Sequence, residues 1–204
     1  MDLILEGIKK AFLLLFTLDA EVFNITLLSL RVSGTATLLS LFIGISTGTA
    51  VALSQFPGRK FVVSLINTGM GLPPVVVGLF VTIFLWRNGP LGFLGILYTP
   101  AAMILAQALV ATRIEMVWIL VKEAKLPLLA GVMAGFGGVI SEVGASIMVG
   151  GNIKGYSRVL TTATVMETSR GNFEVAIALG IILLLLAYFI NLILTHIQQR
   201  ERPR

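Results

Sequence analysis

The sequence predicts an all-α integral membrane protein, with about five transmembrane helices and an N-terminal helix lying at the bilayer interface. Three observations lead there. Hydrophobic residues make up 56% of the 204 and charged residues only 12%, with a mean hydropathy of +0.97, whereas soluble domains are about one-quarter charged. Several apolar runs reach the roughly 20 residues that a helix needs to cross a bilayer. None shows the strict alternation of a barrel strand, so their backbone groups must be satisfied within helices.

The net charge of +5 does not point to nucleic acid, because no basic stripe with interleaved aromatics is present. The cations cluster at the ends of apolar runs, where membrane topology places them. The chain has no cysteine, which excludes disulfides, thiol catalysis and Cys-ligated metals.

Residues 1–22 carry Ile4, Ile8, Phe12 and Leu15 on one helical face, opposite Asp2, Glu6 and Lys10. This pattern predicts an amphipathic interfacial helix. A cleaved signal peptide is the rival, but Asp2 and Glu6 occupy the place of a positive n-region. A transmembrane domain over 23–197 follows. Its first span covers about 25–54, with Gly44 and Gly48 spaced for close helix approach. Gln55-Phe56-Pro57-Gly58-Arg59-Lys60 is a cationic turn placed in the cytoplasm.

The second span, about 61–86, is interrupted at Pro73-Pro74. Two prolines remove two helix donors, and the break is tolerated only inside protein or beside a water-filled path. A packing kink and a pathway-lining role both fit. Arg87 to Gly92 form an external loop, and a third span covers about 93–112. Segment 113–127 is charged, with an apolar stripe of Met116, Ile119 and Leu120, and turns at Leu126-Pro127 into a fourth span over 128–149. A polar, Gly-rich stretch over 150–172, a fifth span over about 173–195 and a basic tail over 198–204 complete the chain. With the tail inside, the N-terminus lies outside and 113–127 is cytoplasmic.

Glu142 is the ionisable residue of the fourth span, where a charge costs about 2.5–3.5 kcal/mol on insertion scales. Gly131, Gly135, Gly138, Glu142 and Ala145 recur at helical spacing, a stripe that admits another helix and shields the carboxylate from lipid. A gate or pathway role and a buried structural acceptor both account for it, and Gly144 lies beside it. A bare carboxylate repels an anion, so with an anionic cargo Glu142 suits a latch rather than a binding group. Gly150, Gly151 and Asn152, with Lys154 and Arg158, offer either an anion-binding nest at the outer mouth or a loop of solvated cations. No nucleophile, base or paired-carboxylate set is present and no P-loop, so the chain is not an enzyme and needs no cofactor of its own.

Three stretches carry a family resemblance. They are Gly71-Leu-Pro-Pro-Val-Val-Val-Gly78, Lys122-Glu-Ala-Lys-Leu-Pro-Leu-Leu-Ala-Gly131, and Ile140-Ser-Glu-Val-Gly144 with Val149-Gly-Gly-Asn-Ile153. Downstream, Arg158-Val-Leu-Thr-Thr162 and Glu167-Thr-Ser-Arg-Gly171 extend the third. Together they resemble the membrane-spanning permease subunits of ABC importers, and among these the tungstate (molybdate-like) permeases. The resemblance implies an ABC-importer permease-like fold, multi-pass in the cell (inner) membrane. It implies as partners a second copy of the chain, a cytoplasmic ABC ATPase dimer holding ATP and Mg, and an extracytoplasmic oxyanion-binding protein.

On this resemblance Glu115, Met116, Ile119, Leu120, Lys122, Glu123, Ala124, Leu126 and Pro127 couple to the ATPase, and Pro73, Pro74, Glu142 and Gly144 line or gate the path. Gly150, Gly151, Asn152, Lys154 and Arg158 contact the anion at the outer mouth. One departure stands out: the Glu-Ala-Ala-like run that usually opens the coupling helix is absent, and Ala111-Thr-Arg-Ile-Glu115 follows Val110 directly. The rival functions are a molybdate or other oxyanion permease, an ATP-independent channel or scaffold, for which a coupling segment has no use, and an intramembrane enzyme.

Overall fold

The computed structural model describes residues 2–121 and 125–200, without side chains for 52, 67, 69–71, 113–121, 125–130 and 200. Its described residues form nine α-helices, one 3-10 turn and no strand. Among the described residues two helices are long and apolar enough to cross a membrane, α2 (Ala20–Leu53) and α9 (Phe173–Arg200). A third crossing is available if the bent pair α6 (Lys125–Ile140) and α7 (Gly144–Gly150) acts as one. Shorter apolar helices complete the five expected runs: α4 (Pro74–Leu85), which follows α3 (Arg59–Gly71), and the first part of α5 (Pro100–Val121).

The N-terminal segment is helix α1 (Asp2–Phe16) followed by a tight turn, in which Leu18 takes φ 49° and Asp19 caps α2 by accepting from Val22 N at 3.0 Å. Helix α1 buries Gly7 and Ala11 against α9, and a side chain at Gly7 would strike Ile177. Its stripe of Ile4, Ile8, Phe12 and Leu15 points away from the protein. That outward apolar face suits contact with lipid.

The core is built on α2 and α5, which run parallel. Val32 packs among Ala102, Met103 and Ala106, and Ala36 lies further along with Ala108, Ala111 and Val139. Small residues dominate this seam, letting the backbones approach closely where lipid supplies no hydrophobic drive between helices. A second cluster joins Val22 and Ile25 to Leu160 and Ala163 of α8 (Leu160–Ser169) and to Leu179 and Ile182 of α9.

Three expectations need correction. The third span begins at Pro100 rather than at Phe93, because Gly95 (φ 60°) and Tyr98 (φ 64°) take left-handed conformations that end the 3-10 turn Gly92–Leu94. Pro100, lacking an N–H, suits the first helical position that follows. Residues 113–121 continue α5 rather than following a third span that ends at 112, and α6 starts at Lys125 rather than Leu128. Finally, the fourth span is not continuous: α6 and α7 meet at 58° across 141–143.

Candidate functional site: two helix breaks meeting inside the bundle

The break at Pro73-Pro74 forms as its residues dictate. Pro73 (φ −58°, ψ 137°) precedes α4, and Pro74 takes the first helical position, where a missing N–H costs nothing. The Glu142 break has a different cause. Glu142 Oε1 accepts from Ala145 N at 3.0 Å, capping the start of α7. The Glu142 carbonyl, released from the helix, accepts from Ser146 Oγ at 3.1 Å and from Thr161 Oγ1 of α8 at 3.3 Å. Below the bend, Ser141 Oγ donates to Gly137 O at 2.8 Å. Glu142 therefore sits at the bend, half-buried, and not on a continuous stripe with Gly138 and Ala145 as the spacing had indicated.

The two breaks adjoin. A side chain on Gly144 would strike Val75, and a Cβ on Gly78 would lie 2.7 Å from the Ala145 Cα. Pro73, Pro74, Glu142 and Gly144 are thus brought to one region, where the starts of α4 and α7 converge. Buried polar groups gather beside it: Gln107 Nε2 of α5 donates to Ser146 Oγ at 2.8 Å, while Gln107 Oε1 has no partner among the described residues. Irregular backbone at this depth in an integral membrane protein is tolerated where protein or a water-filled cavity satisfies it. Gln107, Ser146 and Thr161 were not singled out from sequence. The lone amide in the apolar run of α5 was the available signal for Gln107.

Loop 150–158 occupies the end of the bundle where α2 begins. Gly151 (φ 68°), Asn152 (φ 51°) and Gly155 (φ 75°) shape it. Ser157 Oγ donates to Gly150 O and accepts from Ile153 N, and the N–H groups of Tyr156, Ser157 and Arg158 all point to Ile153 O. Gly151 N is bonded to Ile147 O. Most donors of the expected nest are therefore engaged within the loop. The expected cations do converge, but on Glu21: Lys154 Nζ lies 2.6 Å from its carboxylate, and Arg158, largely buried, lies 3.5 Å away.

Of the coupling residues, Lys122, Glu123 and Ala124 lie outside the described residues. Glu115, Met116, Ile119 and Leu120 belong to the backbone of α5, and Leu126 and Pro127 to that of α6; their side chains likewise lie outside it.

No established family profile matches the chain, but individual relatives do. A tungstate uptake system permease protein, TupB, of Peptoclostridium acidaminophilum is 37% identical over 227 residues, covering 98% of this chain and all of the relative. The chain belongs to the ABC-transporter permease family. A probable anion ABC transporter permease of Haloferax volcanii is also 37% identical, over 89% of this chain and 92% of its own length. The molybdenum transport system permease ModB of Escherichia coli is more distant, at 29% over 79% of this chain and 90% of its own length. The 227-residue alignment exceeds the 204 residues of the chain, so the TupB relative carries residues that this chain lacks. As a member of this permease family the protein is a multi-pass membrane protein, and its apolar helices have the length for that.

Proposed function

We propose that this permease carries tungstate across the membrane, as one of two copies flanking a path on their shared two-fold axis. The identity to a tungstate permease over nearly the whole chain carries the reading. A separate ATPase pair holds ATP and Mg and grips segment 113–127, with Glu115, Met116, Ile119, Leu120, Lys122, Glu123, Ala124, Leu126 and Pro127 as its contacts. Closure of that pair swings α5 and α6, and α6 moves α7 through the hinge at Glu142. Because α7 lies on α4, with Ala145 against Gly78, the motion reaches the Pro73-Pro74 break. An external binding protein delivers the oxyanion at the end of the bundle formed by loop 150–158. Coupling requires that the nucleotide favour one membrane conformation; shifting a two-state population from 1:99 to 99:1 takes about 5.5 kcal/mol of differential binding.

The test is reconstitution with the ATPase and binding protein in liposomes, measuring ATP-dependent uptake of labelled tungstate against molybdate. Tungstate uptake in preference to molybdate is expected. Preferred uptake of molybdate would assign the chain to the second reading, which the ModB relative favours less because its identity is lower.

A further inference from the structure

Arg31 stands on α2 roughly 15 Å along the helix from Glu21, at 1.5 Å per residue. Its neighbour Val32 is packed in the core against Ala102, Met103 and Ala106, so Arg31 lies inward of the loop 150–158, level with the start of the core. Asn24, Arg31 and Thr35 are exposed and share one helical face. Arg31 has no ion pair among the described residues. An arginine within a spanning helix costs free energy when it faces hydrocarbon, up to about 2.5–3.5 kcal/mol at the helix centre, so this face belongs against water or protein rather than lipid.

A cavity of about 300 Å³ opens beside it, lined by Arg31, Asn24 and Leu28 of α2 and by Tyr156 and Arg158 of the 150–158 loop. Among the described residues no carboxylate lines it. Arg158 is nine-tenths buried, its contacts to Glu21 and to Asn152 O are both long at 3.5 Å, and its Nε has no partner among the described residues. Glu21 is shared by Lys154 and Arg158 and none of it reaches Arg31, so the three cations outnumber the one carboxylate and leave a positive surplus in a partly desolvated space. Guanidinium forks match tetrahedral oxyanions in charge and geometry.

We propose that this cavity is an oxyanion station on the permease itself, with Arg31 and Arg158 as the charged contacts and Asn24 and Tyr156 as neutral donors. It rests on the importer reading for its place in a path between the loop 150–158 and the break at Glu142. The station binds weakly, because conduction requires that a site release what it captures. Its contact residues are not specific to one tetrahedral dianion, so sulfate occupies it as tungstate does.

The absence of native cysteine gives a direct test. Asn24→Cys is introduced in the importer complex in liposomes and labelled with an anionic, membrane-impermeant thiol reagent, with Leu184→Cys on the exposed face of α9 as the lipid-facing comparison. The station requires Asn24→Cys to label at least about tenfold faster than Leu184→Cys, whose site lies in hydrocarbon. Millimolar tungstate or sulfate should slow that labelling, and equal ionic strength of chloride should not. Adding Arg31→Gln should abolish the protection, while Arg31→Lys retains part of it. Labelling as slow as at Leu184→Cys, or protection unchanged by Arg31→Gln, overturns the proposal. Uptake is measured on parallel liposomes that carry native Asn24. A transporter that moves no oxyanion yet shows Arg31-dependent protection contradicts the importer reading and supports the station. Full tungstate uptake with Arg31→Gln supports the importer and overturns the station.

Discussion

Gln107 Nε2 donates to Ser146 Oγ at 2.8 Å, and the Ser146 hydroxyl in turn donates to the Glu142 carbonyl at 3.1 Å. The bond ties the middle of α5 to the first turn of α7, just past the bend at 141–143. Both side chains are buried. Removing Ser146 alone strands the Gln107 amide, and a buried unsatisfied donor costs about 1–3 kcal/mol. Ser146→Ala is therefore expected to lower the unfolding midpoint in detergent. Gln107→Leu with Ser146→Ala should recover most of the loss, since the already unpartnered Gln107 Oε1 leaves with its side chain. A double mutant as unstable as Ser146→Ala would place the defect elsewhere.

The meeting of α4 and α7 depends on glycine. A Cβ at Gly78 would approach the Ala145 Cα, a backbone atom that cannot rotate away, whereas Gly34 on α2 has open space around it. Overpacking of this kind costs about 1–3 kcal/mol, so Gly78→Val should destabilise the protein and reduce transport together. Gly34→Ala should leave stability equal or slightly raised, through the better helix propensity of alanine. Thermal unfolding of the two variants side by side checks the contrast.

Glu21 gathers Lys154 and Arg158 from positions 133 and 137 residues along the chain. The two pairs differ in surroundings: the Lys154 side chain is 66% exposed and that of Arg158 only 10%. Exposed pairs contribute about 0–1 kcal/mol, whereas breaking a pair that leaves a buried charge costs more. Lys154→Ala should hardly move the unfolding midpoint, and Glu21→Ala should lower it clearly. Equal shifts would mean that Arg158 gains nothing from Glu21.

What the sequence makes legible is local. Pro73-Pro74 announces its own break, since proline removes donors whatever surrounds it. Residues 93–99 mislead because Phe93, Leu94, Ile96 and Leu97 supply the hydropathy of a span, while the backbone is decided by Gly95 and Tyr98. The Glu142 break is hidden for a further reason. Its periodicity reads as one helix, and a partner that holds the freed carbonyl, Thr161, lies 19 residues away on α8. Glu21 and its two cations are hidden likewise, by distance along the chain. The membrane character and the five apolar runs rest on composition summed over many residues, which no single contact can overturn.

The coupling segment is tested without reference to its side-chain positions. Glu123→Ala with Leu126→Ala should leave membrane insertion intact and weaken co-purification of the ATPase, if the motif Lys122-Glu-Ala-Lys-Leu-Pro127 is the docking element proposed above. Normal co-purification would remove 113–127 from the contact.

Glu142 has a structural contact and a proposed role in the path, and the variants divide them. Its Oε1 accepts the Ala145 N–H, which an amide oxygen does equally well, so Glu142→Gln should keep the cap and the bend. Glu142→Ala loses the cap, at about 0.5–2 kcal/mol, and should lower the unfolding midpoint. The negative charge itself does nothing that folding requires here, because the Glu142 carbonyl, and not the carboxylate, holds Ser146 and Thr161. If the carboxylate acts as a latch in the path, Glu142→Gln should change transport or coupled ATP hydrolysis while the unfolding midpoint stays near wild type. Midpoint and transport falling in parallel in Glu142→Gln would make the carboxylate a structural acceptor.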